Sequence, residues 1–141
     1  MRRNEHREAV SSRVARFARV LGAILILGGA GHVVGVSALV IRQGAPSRDR
    51  LSFLAFVALA HWGAGALNLL SASMLRVGDP FARAAMAIAL GIIGGWAAIQ
   101  LPAFLHHPTV ISSGPLVYLV VQTALFTAAH TGTGYNPPNV G

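Results

Sequence analysis

The chain has no cysteine and no lysine, only four carboxylates, and no formally charged residue after Arg83. Each absence removes a class of chemistry. Without cysteine there is no disulfide, no thiolate metal site and no cysteine nucleophile. The carboxylates, Glu5, Glu8, Asp49 and Asp79, all flank apolar stretches, so no acid and base pair sits inside one. No GxSxG, HExxH or P-loop occurs, and no glycine-rich strand-turn-helix. No catalytic residue is assigned, and enzymatic activity is not the expectation. All 11 basic residues are arginine, beside abundant Ala and Gly, which is the composition of GC-rich coding DNA and carries no functional weight.

What the chain does have is apolar length. Residues 20–41 and 51–75 carry no formal charge, and 54% of the 141 residues are hydrophobic. A helix needs about 20 mostly apolar residues to cross a hydrocarbon core of roughly 30 Å. The expectation is an all-α integral membrane protein, a four-helix bundle with short loops and no separate soluble domain. The spans are predicted at about 20–41, 51–75, 80–105 and 113–131. A basic cytoplasmic or interfacial segment, 1–19, precedes them, and an irregular tail, 132–141, follows. Residues 10, 14, 17 and 21 fall on one stripe opposite Arg13, Arg16 and Arg19, so the first segment either lies along the interface or extends span one as a straight helix. The first apolar run is too long for a signal-peptide core and no small-residue cleavage site follows it, so it is read as retained.

Local signals mark the boundaries. Gly44 is placed to cap the first span, and Ser47 with Asp49 in the next turn opens the second. Arg76 and Gly78 stop the second span, and Asp79-Pro80 reads as N-cap and first-turn proline of the third. His106 to Gly114 reads as a loop, with Pro115 in the first turn of span four.

Orientation follows from arginine near the span ends, since positive flanks stay cytoplasmic. Arg2, Arg3, Arg7, Arg13, Arg16 and Arg19 precede span one, and Arg76 and Arg83 flank the second loop. Arg42, Arg48 and Arg50 flank the first. Eight against three predicts both termini inside a bacterial cytoplasmic membrane. The same placement makes anionic lipid the counter-charge for the net +7, and excludes nucleic acid as the expected partner.

Small residues set where helices approach closely in lipid. Gly28, Gly31 and Gly35 in span one, Gly65 in span two, and Gly91 and Gly95 in span three are the expected packing faces; Gly31/Gly35 and Gly91/Gly95 each form a GxxxG. They fit internal seams, a homo-oligomer or a protein partner. His32 and His61 lie near the middle of neighbouring antiparallel spans and can meet. Asn68, two turns after His61, continues a polar stripe that cannot favourably face lipid, and span four adds Gln122, Thr123, Thr127 and His130. Three readings stay open for the two histidines. They satisfy one another, Asn68 or the backbone; or they ligate haem b as an axial pair; or they belong to a proton or small-solute path. No cofactor is required, and no metal site is expected, since one needs a third ligand that the sequence does not place.

With the stretch Ala60-His61-Trp62-Gly63-Ala64-Gly65-Ala66-Leu67-Asn68-Leu69-Leu70, the four-span layout resembles the small four-helix membrane proteins common in actinobacteria. These include the DoxX-like group and a related domain of unknown function. The resemblance implies a small accessory membrane protein, in some cases serving redox or stress systems, and names no catalytic residue. Such families often carry a second histidine-containing helix near the C-terminus, whereas the last span here has its histidine, His130, only at its end.

Overall fold

A computed structural model describes residues 2–44 and 46–132. Over these the chain forms four helices: α1 (Arg2–Gln43), α2 (Arg48–Arg76), α3 (Phe81–His106) and α4 (Val110–Gly132). The punctuation between them is local chemistry. Gly44 adopts φ +84°, a left-handed step that favours glycine, while its N–H donates to Val40 O at 2.9 Å. Ser47 Oγ accepts from Arg50 N at 3.4 Å, and Asp49 lies in the first turn of α2. Gly78 at φ +72° ends the α2–α3 corner. Asp79 Oδ1 accepts from Phe81 N at 2.8 Å, so Asp79 caps α3 from one residue further out than predicted, with Pro80 in helical geometry between them.

Of the two forms expected for the N-terminal segment, the structure has the straight extension: neither Gly nor Pro interrupts residues 2–19, so α1 runs unbroken through them. One boundary differs from expectation. Helix α4 begins at Val110, which places Pro115 inside the helix, where its missing N–H leaves the carbonyl one turn earlier without its usual donor. The tail expected over 132–141 lies outside the described residues, apart from Gly132 at the end of α4.

Each helix packs on its chain neighbours and α1 meets α4, closing an antiparallel bundle. The main core joins Ala18 and Leu25 of α1, Ala72 of α2, Met86 and Ile93 of α3, and Leu125 of α4. It therefore draws on the first half of α1 and sits toward the end of the bundle where α1 starts and α4 finishes. Beyond Gly31, α1 is largely uncovered.

Helices α1 and α2 cross where Gly22 and Gly65 meet. A Cβ added at Gly22 would stand 2.8 Å from Gly65 O, and one at Gly65 would stand 3.0 Å from Gly22 O. Gly65 thus lies in the seam, and a Cβ at Gly28 would come 3.1 Å from His61 Cδ2. As internal packing faces, Gly31, Gly35, Gly91 and Gly95 are corrected: among the described residues, a Cβ at any of them meets nothing within 4 Å. The reason on α3 is rotational. Met86, Ala89, Ile93 and Trp96 form the stripe that turns inward, which leaves Gly91 and Gly95 on the opposite side.

Among the described residues, three stretches are long and apolar enough to cross a membrane: Ala9–Gln43, Arg48–Arg76 and Phe81–His106. Helix α4, expected as the fourth span, is not among these stretches. The polarity of the bundle is inverted relative to a protein in water. Phe17, Leu27, Val34, Leu59 and Leu105 point outward, while Asn68, Ser71 and Gln122 are fully buried. An apolar exterior of this extent suits lipid and would associate in water.

Candidate functional site

The buried face of α2 is a stripe that includes Val57, Ala60, His61, Ala64, Asn68, Ser71 and Leu75. This spacing aligns three polar groups with the helix axis. At mid-height, His61 Nδ1 lies 2.8 Å from Val57 O. A carbonyl only accepts, so Nδ1 carries the proton and Nε2 is the lone-pair nitrogen of the neutral ring. The Cδ2–Nε2 edge of His61 faces α1 at Gly28.

Around His61 the bundle assembles one ring from each helix. His32 of α1 lies with its ring plane within 18° of His61 and its centroid 6.3 Å away. Trp96 of α3 packs at 4.3 Å, tilted by 54°, and Tyr118 of α4 presents its edge at 6.2 Å. Trp96 and Tyr118 stand 6.0 Å apart. Val57, Ala60 and Trp96 form a small apolar cluster of their own beside these rings. His32 Nε2 and Trp96 Nε1 are buried without a hydrogen-bond partner.

About 10 Å along α2 from His61, at 1.5 Å per residue, lies a layer of buried amides. Asn68 Nδ2 donates to Ala64 O at 2.9 Å, Ser71 Oγ to Leu67 O at 2.6 Å, and Gln122 Nε2 to Met86 O at 3.4 Å. Asn68 Oδ1 and Gln122 Oε1 have no partner. Each donor thus reaches a helix carbonyl that is already bonded, while the acceptor strands. Replacing Asn68 by Leu or Gln122 by Met should accordingly leave thermal stability in detergent unchanged or raise it by about 1 kcal/mol, since an unpaired buried acceptor costs about 1–3 kcal/mol. A loss of 2 kcal/mol or more in either variant would show that these oxygens are bonded in the membrane.

The structure therefore brings His32 and His61 together and turns His61, Asn68 and Gln122 inward. It separates the remaining polar residues of α4: Thr123 and His130 are exposed and bond back to Leu119 O and Phe126 O, and Thr127 is also exposed. His106 and His107 are exposed at the far end of α3. Sequence reading missed Gly22, Trp96, Tyr118 and Ser71. Ala18-xxx-Gly22 is a small-xxx-small pair that signals a crossing, and Trp96 falls one turn from Ile93 on the inward stripe.

Among the described residues, no group of three or more His, Cys, Asp or Glu converges. The packing around His61 also gives a porphyrin no slot. One side of the ring touches Trp96, and the other lies so near α1 that a methyl at Gly28 would come within 3.1 Å. At the opposite hairpin, Val36, Leu39, Val40, Gln43, Arg50 and Leu54 line an open cavity of about 200 Å³. Compared with known proteins, the chain matches no family model, no curated protein and no solved structure.

Proposed function

We propose that the chain is a multi-pass protein of the bacterial cytoplasmic membrane, with both termini inside, that serves as a non-catalytic accessory subunit of a larger membrane assembly. The apolar exterior over three membrane-length helices supports the embedding, and the eight-to-three arginine balance supports the orientation. The accessory role is the one that the DoxX-like resemblance implies. A single observation carries it. Among the described residues, Gly31/Gly35 on α1 and Gly91/Gly95 on α3 are two GxxxG grooves with nothing in them, while the chain closes its own α1–α2 seam at Gly22 and Gly65. In lipid, such a groove is where a second helix gains close backbone contact. The cavity at Arg50, lined mostly by apolar side chains beside one cation, suits an anionic lipid.

The test is the mass of the species in mild detergent, with identification of what co-purifies. The wild type should travel with a partner or a second copy. Paired changes, Gly31→Leu with Gly35→Leu or Gly91→Leu with Gly95→Leu, should release it while leaving the melting of the chain itself unchanged. A wild type that is monomeric and alone, with the same profile in both pairs, would sink this reading.

A second reading, a proton or small-solute path, rests on the buried polar column of His61, Asn68, Ser71 and Gln122. Under that reading the stable Asn68→Leu and Gln122→Met variants lose transport in proteoliposomes, because stability and function are then set against each other at these sites.

A further inference from the structure

We propose that His32 and His61 together hold one soft monovalent d10 metal ion, of which the cuprous ion is the biological case, by in-line coordination through two neutral imidazoles. The site stands independently of the accessory role. The two rings are nearly parallel, with centroids 6.3 Å apart, yet they share no hydrogen bond, and His32 Nε2 is buried without a partner. A direct imidazole–imidazole bond therefore does not explain why two histidines face each other in an apolar bundle. A particle between them does. With metal–nitrogen distances near 2 Å, an in-line pair places imidazole centroids about 6 Å apart, a span that the 6.3 Å separation of these two rings accommodates.

The orientation of both rings fits. His61 is pinned by its Nδ1–H on Val57 O, the backbone partner that a metal-binding histidine uses to fix its tautomer and present the other nitrogen. That other nitrogen, Nε2, faces α1, since a Cβ at Gly28 would stand 3.4 Å from it. His32 lies one turn after Gly28, and helical side chains lean back over the preceding turn, so its ring covers the same spot. Glycine at 28 leaves that spot open: any side chain there would occupy the space between the rings.

The donor set selects the ion. With no third His, Cys, Asp or Glu nearby among the described residues, a tetrahedral divalent ion lacks ligands. A d10 monovalent ion accepts two, and imidazole suits copper. A single positive charge also costs less to bury than a double one.

The test uses the full chain in detergent, titrated without oxygen with Cu(I) delivered by a competing chromophoric chelator, and in parallel with Ag(I) as a redox-inert probe. One equivalent should bind per chain. X-ray absorption should show two nitrogen neighbours at about 2 Å. Trp96 emission should fall on binding, read in Trp62→Phe, because the chain has only two tryptophans. His32→Ala removes a half-buried ring and should weaken binding by roughly 100-fold or more, at or beyond the upper end of what losing an outer partner alone does. His61→Gln should do the same, and thermal melting of each variant reports whether the bundle is intact. The proposal is overturned if the wild type binds no stoichiometric ion, in which case water alone spans the rings. It is equally overturned if binding persists in His32→Ala, or disappears only when His106 and His107 are replaced.

Discussion

Gly22→Leu should be one of the two most damaging single substitutions in this bundle. A Cβ at that position would stand 2.8 Å from Gly65 O and 2.9 Å from Leu69 Cγ, before the rest of the leucine is added. The first contact is with backbone, which cannot rotate away. The two helices must therefore separate, and with them the contacts of Leu21 and Leu25 in the main core. Gly65→Leu meets Ile26 Cγ1 at 2.9 Å and Gly22 O at 3.0 Å, so it attacks the same crossing from the other side. The expected loss is about 3 kcal/mol for either, the upper end of the range for an overpacked interior. Denaturation of the purified chain in detergent measures it. Gly91→Leu serves as the internal control, since that position opens on empty space and should melt like the wild type. If Gly22→Leu were tolerated and Gly91→Leu were not, the crossing described above would be misplaced.

Trp96→Ala should cost as much or more, about 3–5 kcal/mol. Trp96 is buried among Val57, Ala60, His61 and Tyr118, and it is the largest side chain among these rings. Truncation leaves a cavity that four helices would have to collapse to fill. Trp96→Phe separates volume from chemistry. It keeps an aromatic face and removes an N–H that has no partner, so part of the lost packing is offset by one fewer stranded donor. The phenylalanine variant should cost about 1–2 kcal/mol, well under half of the alanine loss. Equal losses in the two variants would mean that the indole N–H is bonded and that the ring is held by that bond and not by packing.

These two expectations rest on features that were legible to different degrees. The number of helices and the corners joining the first three could be read directly, because each corner is decided by a few adjacent residues. Gly44 and Gly78 take positive φ, Ser47 accepts from Arg50 N, and Asp79 from Phe81 N, all within four residues of the signal itself. The inward direction of His61 and Asn68 was legible for a similar reason. Residues seven apart share a face, and a polar face in an apolar helix has one favourable direction. The length of α1 was only half legible. The apolar run stops at Arg19, but nothing in residues 2–19 breaks a helix, and packing of Val14, Ala15 and Ala18 into the core carries it on.

The glycine rows show where such reading ends. A GxxxG says that a groove exists on one side of a helix, and says nothing about whether a neighbour lies there. On α3 the rotation is set jointly by Met86, Ala89, Ile93 and Trp96, which bury more surface than two glycines can and turn Gly91 and Gly95 away. That His32 and His61 can meet was legible from their mid-span positions, but that Trp96 and Tyr118 join them was not, for the same reason. Each ring belongs to a different helix, and their heights match only once the antiparallel register is settled by contacts such as Gly22 with Gly65. Residues close along the chain carried the helices, their caps and the polarity of their faces, because those depend on interactions within a turn or two. Rotation, register and the ring cluster belong to the packed bundle, because they minimise contacts among all four helices at once.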